Sequence, residues 1–187
     1  MESYKDKYTF KVTWEPFLLR PNMPPEGAPK GDNYGPNSPS AQRLINVGRS
    51  VGVEFAYKAK RFPNTIIGHC ALEYALLQDP TGHKQNLLQE GLFKSYFTDG
   101  EYPDAEVVST LASTVGLNKD DVKAYVQDES NQSQVREKAG QWSLQGVSGV
   151  PFFIVNDQKT FSGAQDPRNF LHIFDKVHEK FPLSTKA

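Results

Sequence analysis

The chain has 187 residues, of which 37% are hydrophobic and 12% aromatic, so it is long and apolar enough to bury a core. Its 21 basic and 22 acidic residues give a formal net charge of -1 and no electrostatic reason to expect nucleic acid or an anionic membrane as a partner. The sequence has neither an apolar run of membrane-spanning length nor a secretory signal at its start. These features predict a globular cytoplasmic protein.

A single cysteine, Cys70, limits the chemistry of the chain. It excludes an intrachain disulfide, a Cys-x-x-Cys motif and a metal site built from cysteines of one chain. This cysteine usage is typical of a reducing, cytosolic compartment.

The first third of the chain combines one strand pattern with a proline-rich loop. Residues 8–14 (YTFKVTW) alternate and are rich in aromatic and β-branched side chains, which predicts a strand. Prolines recur from Pro16 to Pro39, so residues 21–40 are predicted to be loop, because proline lacks a backbone donor. A helix is predicted from about Ser40 to Gly52, with four apolar side chains turned inward: Leu44, Ile45, Val47 and Val51.

Residues 63–144 read as a series of helices. Four residues recur at helical spacing and predict one buried stripe: Ile66, Cys70, Tyr74 and Leu77. Leucine and aromatic residues between positions 87 and 97 predict a second helix. Asp104, Asn118 and Ser130 are predicted to cap three more helices.

Two short strands and a helix are predicted at the C-terminal end. Phe152–Val155 and Lys159–Ser162 form a hairpin pattern, and Asp166 followed by Pro167 starts an amphipathic helix. The order of elements predicts an α/β fold with an inserted helical block. We assign residues 1–62 and 145–187 to the α/β part and residues 63–144 to an inserted all-helical domain.

The segment GVSGVPFFIVNDQKTFSGAQDPRNF (residues 146–170) resembles the closing section of DsbA-family thioredoxin-like proteins, and is most similar to the FrnE-like branch. WEPFLLRPNMPPEG (residues 14–27) and RFPNTIIGHCALEYA (residues 61–75) resemble further parts of that branch. The resemblance extends from about residue 8 to residue 181. It implies a DsbA-type thioredoxin-like fold and the thiol–disulfide oxidoreductase family.

The resemblance also implies a docking site at Gly149, Val150 and Pro151. The family's proline at this position is cis, and the backbone of the preceding residue then faces the active site. Its N–H and C=O groups can pair with an extended ligand. The implied partner is a peptide or small molecule that carries a thiol or a disulfide.

One part of the family pattern has no counterpart in this sequence. Family members begin with a strand that leads into a Cys-Pro-Trp-Cys motif, whose first cysteine is the reactive thiolate. The resemblance therefore implies that the first strand–helix unit is missing, through a truncated gene model or a real loss, and that this chain is redox-inactive. In the family sheet that strand lies between those matching residues 8–14 and 152–155. Alternatively, these two strands pair directly, or another chain lends a strand.

The remaining candidate residues have plainer interpretations. Cys70 lies on an apolar stripe and is predicted to be buried rather than to act as a replacement nucleophile. The four histidines show no metal-ligand pattern and are predicted to be surface or capping residues: His69, His83, His172 and His178. We therefore predict no metal site.

Two alternative functions remain open. A glutathione-linked transferase or isomerase of the kappa-class type would hold a ligand carboxylate or amine near Gln165 and Asp166, whereas the simpler reading of Asp166 is a helix N-cap. The other alternative is a non-catalytic module that binds a peptide or a partner chain. Apart from possible glutathione, no cofactor is predicted.

Overall fold

The computed structural model describes residues 7–181, which form two compact units. One unit comprises residues 11–141 and the other residues 7–10 together with 142–181. The helices are α1 (Pro39–Ser50), α2 (Ile66–Gln78), α3 (His83–Lys94), α4 (Ala105–Thr114), α5 (Lys119–Gln127), α6 (Glu129–Leu144) and α7 (Pro167–Lys180). The strands are β1 (Ala28–Pro29), β2 (Arg61–Phe62), β3 (Phe152–Val155) and β4 (Gln158–Ser162). None of the described helices is both long and apolar enough to span a bilayer.

The core of the larger unit is built around α2. This helix is apolar on several faces, and it buries Cys70, Ala71, Leu72 and Ala75 along with Ile66. Leu88 of α3, Val108 of α4, Val122 of α5 and Val135 of α6 belong to the same cluster. The predicted stripe is correct for its first members, whereas Leu77 is 64% exposed because it lies in the last turn of the helix.

The strand predicted at residues 8–14 is wrong, because the described chain makes no strand pairing there. A buried side chain takes the place of a neighbouring strand. The amide of Gln85 accepts a hydrogen bond from the Trp14 N–H at 2.9 Å and donates to the Trp14 carbonyl at 3.0 Å. Lys138 of α6 adds ion pairs to Glu15 at 2.8 Å and to Glu73 at 2.9 Å. This segment therefore joins the helical unit through side chains.

Helix α1 forms where the sequence predicts a helix, but of the four apolar side chains predicted to turn inward only Ile45 is half-buried. Leu44, Val47 and Val51 are all exposed, Val51 by 70%. The residues that α1 buries are Ala41 and Gly48. A Cβ at Gly48 would lie 2.5 Å from the Phe55 ring, so Phe55 packs directly on the backbone of α1 at this glycine. The buried face of α1 is therefore the one that carries Gly48, and not the one that carries its valines and Leu44.

The helix caps follow the sequence with one exception. Asp104 and Asn118 accept hydrogen bonds from the first turns of α4 and α5, as predicted. The predicted cap Ser130 is wrong. It lies inside α6, and its own N–H donates to the Asp128 carboxylate at 2.7 Å. The carboxylate of Asp128 also accepts from Asn131 N–H at 3.3 Å, so Asp128 caps this helix.

The smaller unit consists mainly of the predicted hairpin and the final helix. Strands β3 and β4 pair antiparallel, with an irregularity between Phe153 and Ile154. Asp166 caps α7 and Pro167 occupies the start of the helix. Residues 11–62, which the sequence analysis grouped with the hairpin, belong to the same compact unit as the helices.

Candidate functional site

The loop that joins α6 to β3 contains Gly149, Val150 and Pro151. The peptide bond between Val150 and Pro151 is cis, the isomer that the resemblance implied. Val150 is 53% exposed, and Pro151 is also exposed. A Cβ placed on Gly149 would meet no atom within 4 Å. The three residues therefore form an accessible surface at the start of β3.

Some backbone hydrogen-bonding groups of this loop have no partner among residues 7–181. The carbonyl of Pro151 accepts a bond from the Gly163 N–H at 2.7 Å. Among the described residues, by contrast, the N–H and C=O groups of Val150 have no hydrogen-bond partner. Among the described residues strand β3 is paired only with β4, and none of them pairs with its other edge. An open strand edge beside an unpaired donor and acceptor can accept an added extended chain.

Aromatic rings support the loop from the side of α7. The ring of Phe170 lies 4.9 Å from that of Phe153 and 5.0 Å from that of Phe161, both nearly perpendicular. Such edge-to-face contacts fix β3, β4 and α7 against one another. No described residue of α7 is fully buried, and Ile154 on β3 is 38% exposed. The hairpin and helix therefore keep accessible apolar surface next to the loop.

Gln165 and Asp166 are occupied by contacts within the unit. The Asp166 carboxylate accepts from the Arg168 N–H at 2.9 Å and pairs with the Arg168 side chain at the same distance. These interactions with Arg168 hold the pKa of Asp166 at about 2. The Gln165 side chain donates to the Ser162 carbonyl at 3.2 Å. The N-cap interpretation of Asp166 is confirmed, and its negative charge makes this corner unfavourable for a ligand carboxylate.

Cys70 is fully buried, as the apolar stripe predicted. Burial raises the pKa of its thiol to about 12, an effect that the charge of Glu73 strengthens and that of Arg136 weakens. The side chain is therefore a neutral thiol at pH 7 and has no contact with solvent. A reactive cysteine needs a stabilised thiolate and access to its substrate, and Cys70 has neither.

The four histidines differ in solvent exposure, although the sequence predicted all of them to be surface or capping residues. His83 and His172 are exposed, as expected for surface residues. His69 is half-buried and forms a hydrogen bond with the backbone of Phe17, and burial lowers its pKa to about 4. His178 is half-buried and its ring lies 5.5 Å from that of Tyr8. The described residues contain no group of three or more His, Cys, Asp or Glu side chains that could hold a metal ion.

The chain combines a helical unit with a hairpin that starts at a cis proline and a final helix. The family model of the DSBA-like thioredoxin domain matches residues 1–175. The chain belongs to this family. Its fold is therefore the DsbA-type thioredoxin-like fold, a mixed α/β fold that is mostly helical here.

A solved structure agrees with this assignment of the DsbA-type fold. The crystal structure of a probable DsbA oxidoreductase from Streptomyces coelicolor has a TM-score of 0.72 and 22% sequence identity to the chain. The match covers 88% of this chain and 74% of that protein. No curated protein sequence matches the chain.

Proposed function

We propose that Gly149, Val150 and Pro151 form a docking surface for an extended peptide that carries a thiol or a disulfide. In this proposal the chain holds such a ligand but does not itself carry out dithiol exchange. The observation that supports docking most strongly is the exposed Val150, whose backbone N–H and C=O are unpaired among the described residues. Membership of the FrnE-like branch and a cytoplasmic location belong to the same proposal.

The backbone of Val150 would bind the ligand as a neighbouring strand does. A peptide laid beside it accepts a hydrogen bond from its N–H and donates one to its C=O. The exposed side chains of Val150 and Ile154 would contact the peptide side chains. This mode of binding depends more on the backbone of the peptide than on its side chains, so many peptide sequences should bind.

The lack of dithiol exchange follows from the cysteine content. Exchange through a mixed disulfide needs an accessible attacking thiolate and a second thiol that resolves the intermediate. The sequence contains Cys70 alone, and that thiol is buried. The chain therefore lacks both reactive groups.

A non-catalytic module that binds peptides without regard to sulfur is the second candidate, and the burial of Cys70 favours it. The glutathione-linked alternative is less favoured, because the Asp166 carboxylate is already engaged by the backbone N–H and the side chain of Arg168. A pair of peptides separates the two leading candidates. A cysteine-containing peptide should bind more tightly than its serine counterpart only if the site recognises sulfur.

Docking is tested by measuring the fluorescence anisotropy of a short labelled peptide that contains a cysteine. Val150→Pro removes the free N–H and should weaken binding by roughly three- to tenfold, the value of one backbone hydrogen bond. Val150→Ala keeps the backbone groups and is the matched control, with a change of less than about twofold expected. Hydrogen exchange at the Val150 amide gives a second measurement in the unmodified chain. Peptide binding that neither slows this exchange nor distinguishes the variants would overturn the docking proposal.

A further inference from the structure

A cluster of two cations and three aromatic rings lies in the larger unit, and we call it the basic–aromatic cluster. Its members are Arg20, Lys30, Tyr34, Phe62 and Tyr96. The guanidinium carbon of Arg20 lies 3.8 Å from the centre of the Phe62 ring. The ammonium of Lys30 lies 5.4 Å from the same ring centre and 4.9 Å from that of Tyr96. Tyr34 meets the Phe62 ring edge-on at 4.8 Å.

Backbone pairing holds the cluster in place. The N–H of Lys30 donates to the Lys60 carbonyl at 2.9 Å, next to the short ladder between β1 and β2. The hydroxyl of Tyr96 donates to the carbonyl of Arg61 at 2.9 Å. The proline-rich loop therefore brings Lys30 to the Phe62 ring on which Arg20 is stacked, although the two cations are ten positions apart in the sequence.

No carboxylate whose side chain the structure describes neutralises the positive charge of the cluster. Neither Arg20 nor Lys30 makes an ion pair with any described carboxylate. Both cations contact the Phe62 ring, and burial, followed by the charge of Arg20, lowers the pKa of Lys30. Ring faces attract cations but do not supply the hydrogen-bond acceptors that an ammonium or guanidinium group uses.

The surroundings add further cations. A cavity of about 270 Å³ borders the cluster at Tyr96 and is also lined by Lys58, Lys60 and Arg61. The Arg61 guanidinium donates only to the carbonyls of Glu26 and Gly27 among the described residues, so its charge is not neutralised either. The one acidic residue in the cavity lining is Glu101, which accepts a hydrogen bond from Ser95 at 2.6 Å. A chain with a net charge of -1 thus concentrates positive charge here.

We propose that the basic–aromatic cluster is a binding site for an oxyanion, either a phosphate group or a carboxylate. A guanidinium stacked on a ring uses its face for that contact and keeps the N–H donors of its edge for a ligand, to which it binds in a bidentate manner. The Lys30 ammonium supplies a second charge to the same anion. The residues of this site all belong to the larger unit, whereas the docking loop belongs to the smaller one.

Isothermal titration of the full chain with pyrophosphate and with citrate at low ionic strength tests this site. At least one of the two anions should bind saturably, and the one that binds identifies phosphate or carboxylate as the preferred group. Arg20→Gln and Lys30→Gln should each weaken binding by about tenfold, the loss typical of a charge-assisted hydrogen bond. Arg49→Gln removes an exposed cation of α1 and is the matched control, with less than about a twofold change expected.

Amide chemical-shift mapping of the unmodified chain with the same anions gives an independent result. The amides of Arg20, Lys30 and Phe62 should shift on titration, whereas those of α1 should not. Absence of saturable binding by both anions would overturn the proposal. Equal binding by the two variants and the control, or shifts located elsewhere, would overturn it as well.

Discussion

His69 is the residue whose ionisation is most closely linked to the folding of the larger unit. It precedes the buried Cys70 on α2, and its side chain reaches the backbone of Phe17. Burial lowers its pKa from 6.5 to about 4, while the hydrogen bond opposes that shift. The folded chain therefore favours the neutral imidazole.

This shift predicts a pH dependence of stability. Above pH 6.5 the imidazole is neutral in both the folded and unfolded states, so its contribution is fully present. As the pH falls from 6.5 to about 4, the unfolded state takes up the proton first, and the free energy of unfolding decreases. The loss attributable to His69 is on the order of 3 kcal/mol over that range.

Urea unfolding at a series of pH values measures this effect. His69→Gln keeps an amide that can hydrogen-bond to the Phe17 backbone but does not titrate, so its stability should depend less on pH between 6.5 and 4. His83→Gln, at an exposed position, should retain the slope of the unmodified chain. Parallel slopes for the unmodified chain and His69→Gln would contradict the account of His69.

Some single-residue environments could be predicted from the sequence and others could not. The burial of Cys70 was predictable, because its neighbours at helical spacing are apolar. The burial of His69 and the role of Gln85 were not, because both depend on the segment around residues 14–17, which packs on α2 and α3 from a distant part of the chain. The meeting of Arg20 and Lys30 likewise depends on the path of a loop.

At the scale of elements, helix starts were predictable wherever a single polar residue precedes the apolar pattern. Asp104, Asn118 and Asp166 fit that rule. At α6 the sequence offers both Asp128 and Ser130, and the structure uses Asp128. Two candidates so close together cannot be ranked from spacing alone.

This choice of cap gives a prediction with its own control. Asp128→Ala should lower the free energy of unfolding by about 1 kcal/mol, because the Ser130 and Asn131 N–H groups lose their acceptor. Ser130→Ala should change it by less than about 0.5 kcal/mol, since Ser130 lies within the first turn. Both values follow from chemical denaturation, and a larger loss for Ser130→Ala than for Asp128→Ala would contradict the assignment.

Strands were harder to predict than helices at this scale. The hairpin formed as predicted because its two strands are adjacent in sequence and pair with each other. Residues 8–14 carry an equally clear strand pattern, but a strand also needs a partner, and the described chain supplies Gln85 instead. The prediction of the buried face of α1 failed for the same reason. The periodicity of the sequence identifies the apolar side of a helix, but it does not show which part of the chain packs against that side.

At the scale of the whole molecule, the family and the fold followed from a long resemblance in sequence, and the family match over residues 1–175 confirms them. The accessible loop at Gly149, Val150 and Pro151 was also indicated by its motif. The basic–aromatic cluster had no sequence signal, because its residues come from three separate segments. We thus propose a docking surface for ligands that carry a thiol or a disulfide, in a chain whose single thiol is buried.

An insulin-reduction assay tests that central claim most directly. With dithiothreitol as the reductant, neither the unmodified chain nor Cys70→Ser should accelerate insulin precipitation above the rate of dithiothreitol alone. The prediction rests on the burial of Cys70 and on the absence of a second cysteine from the sequence. Acceleration by the unmodified chain that disappears in Cys70→Ser would make Cys70 a working nucleophile, and acceleration by both would show a reaction that needs no thiol; either result would contradict the account.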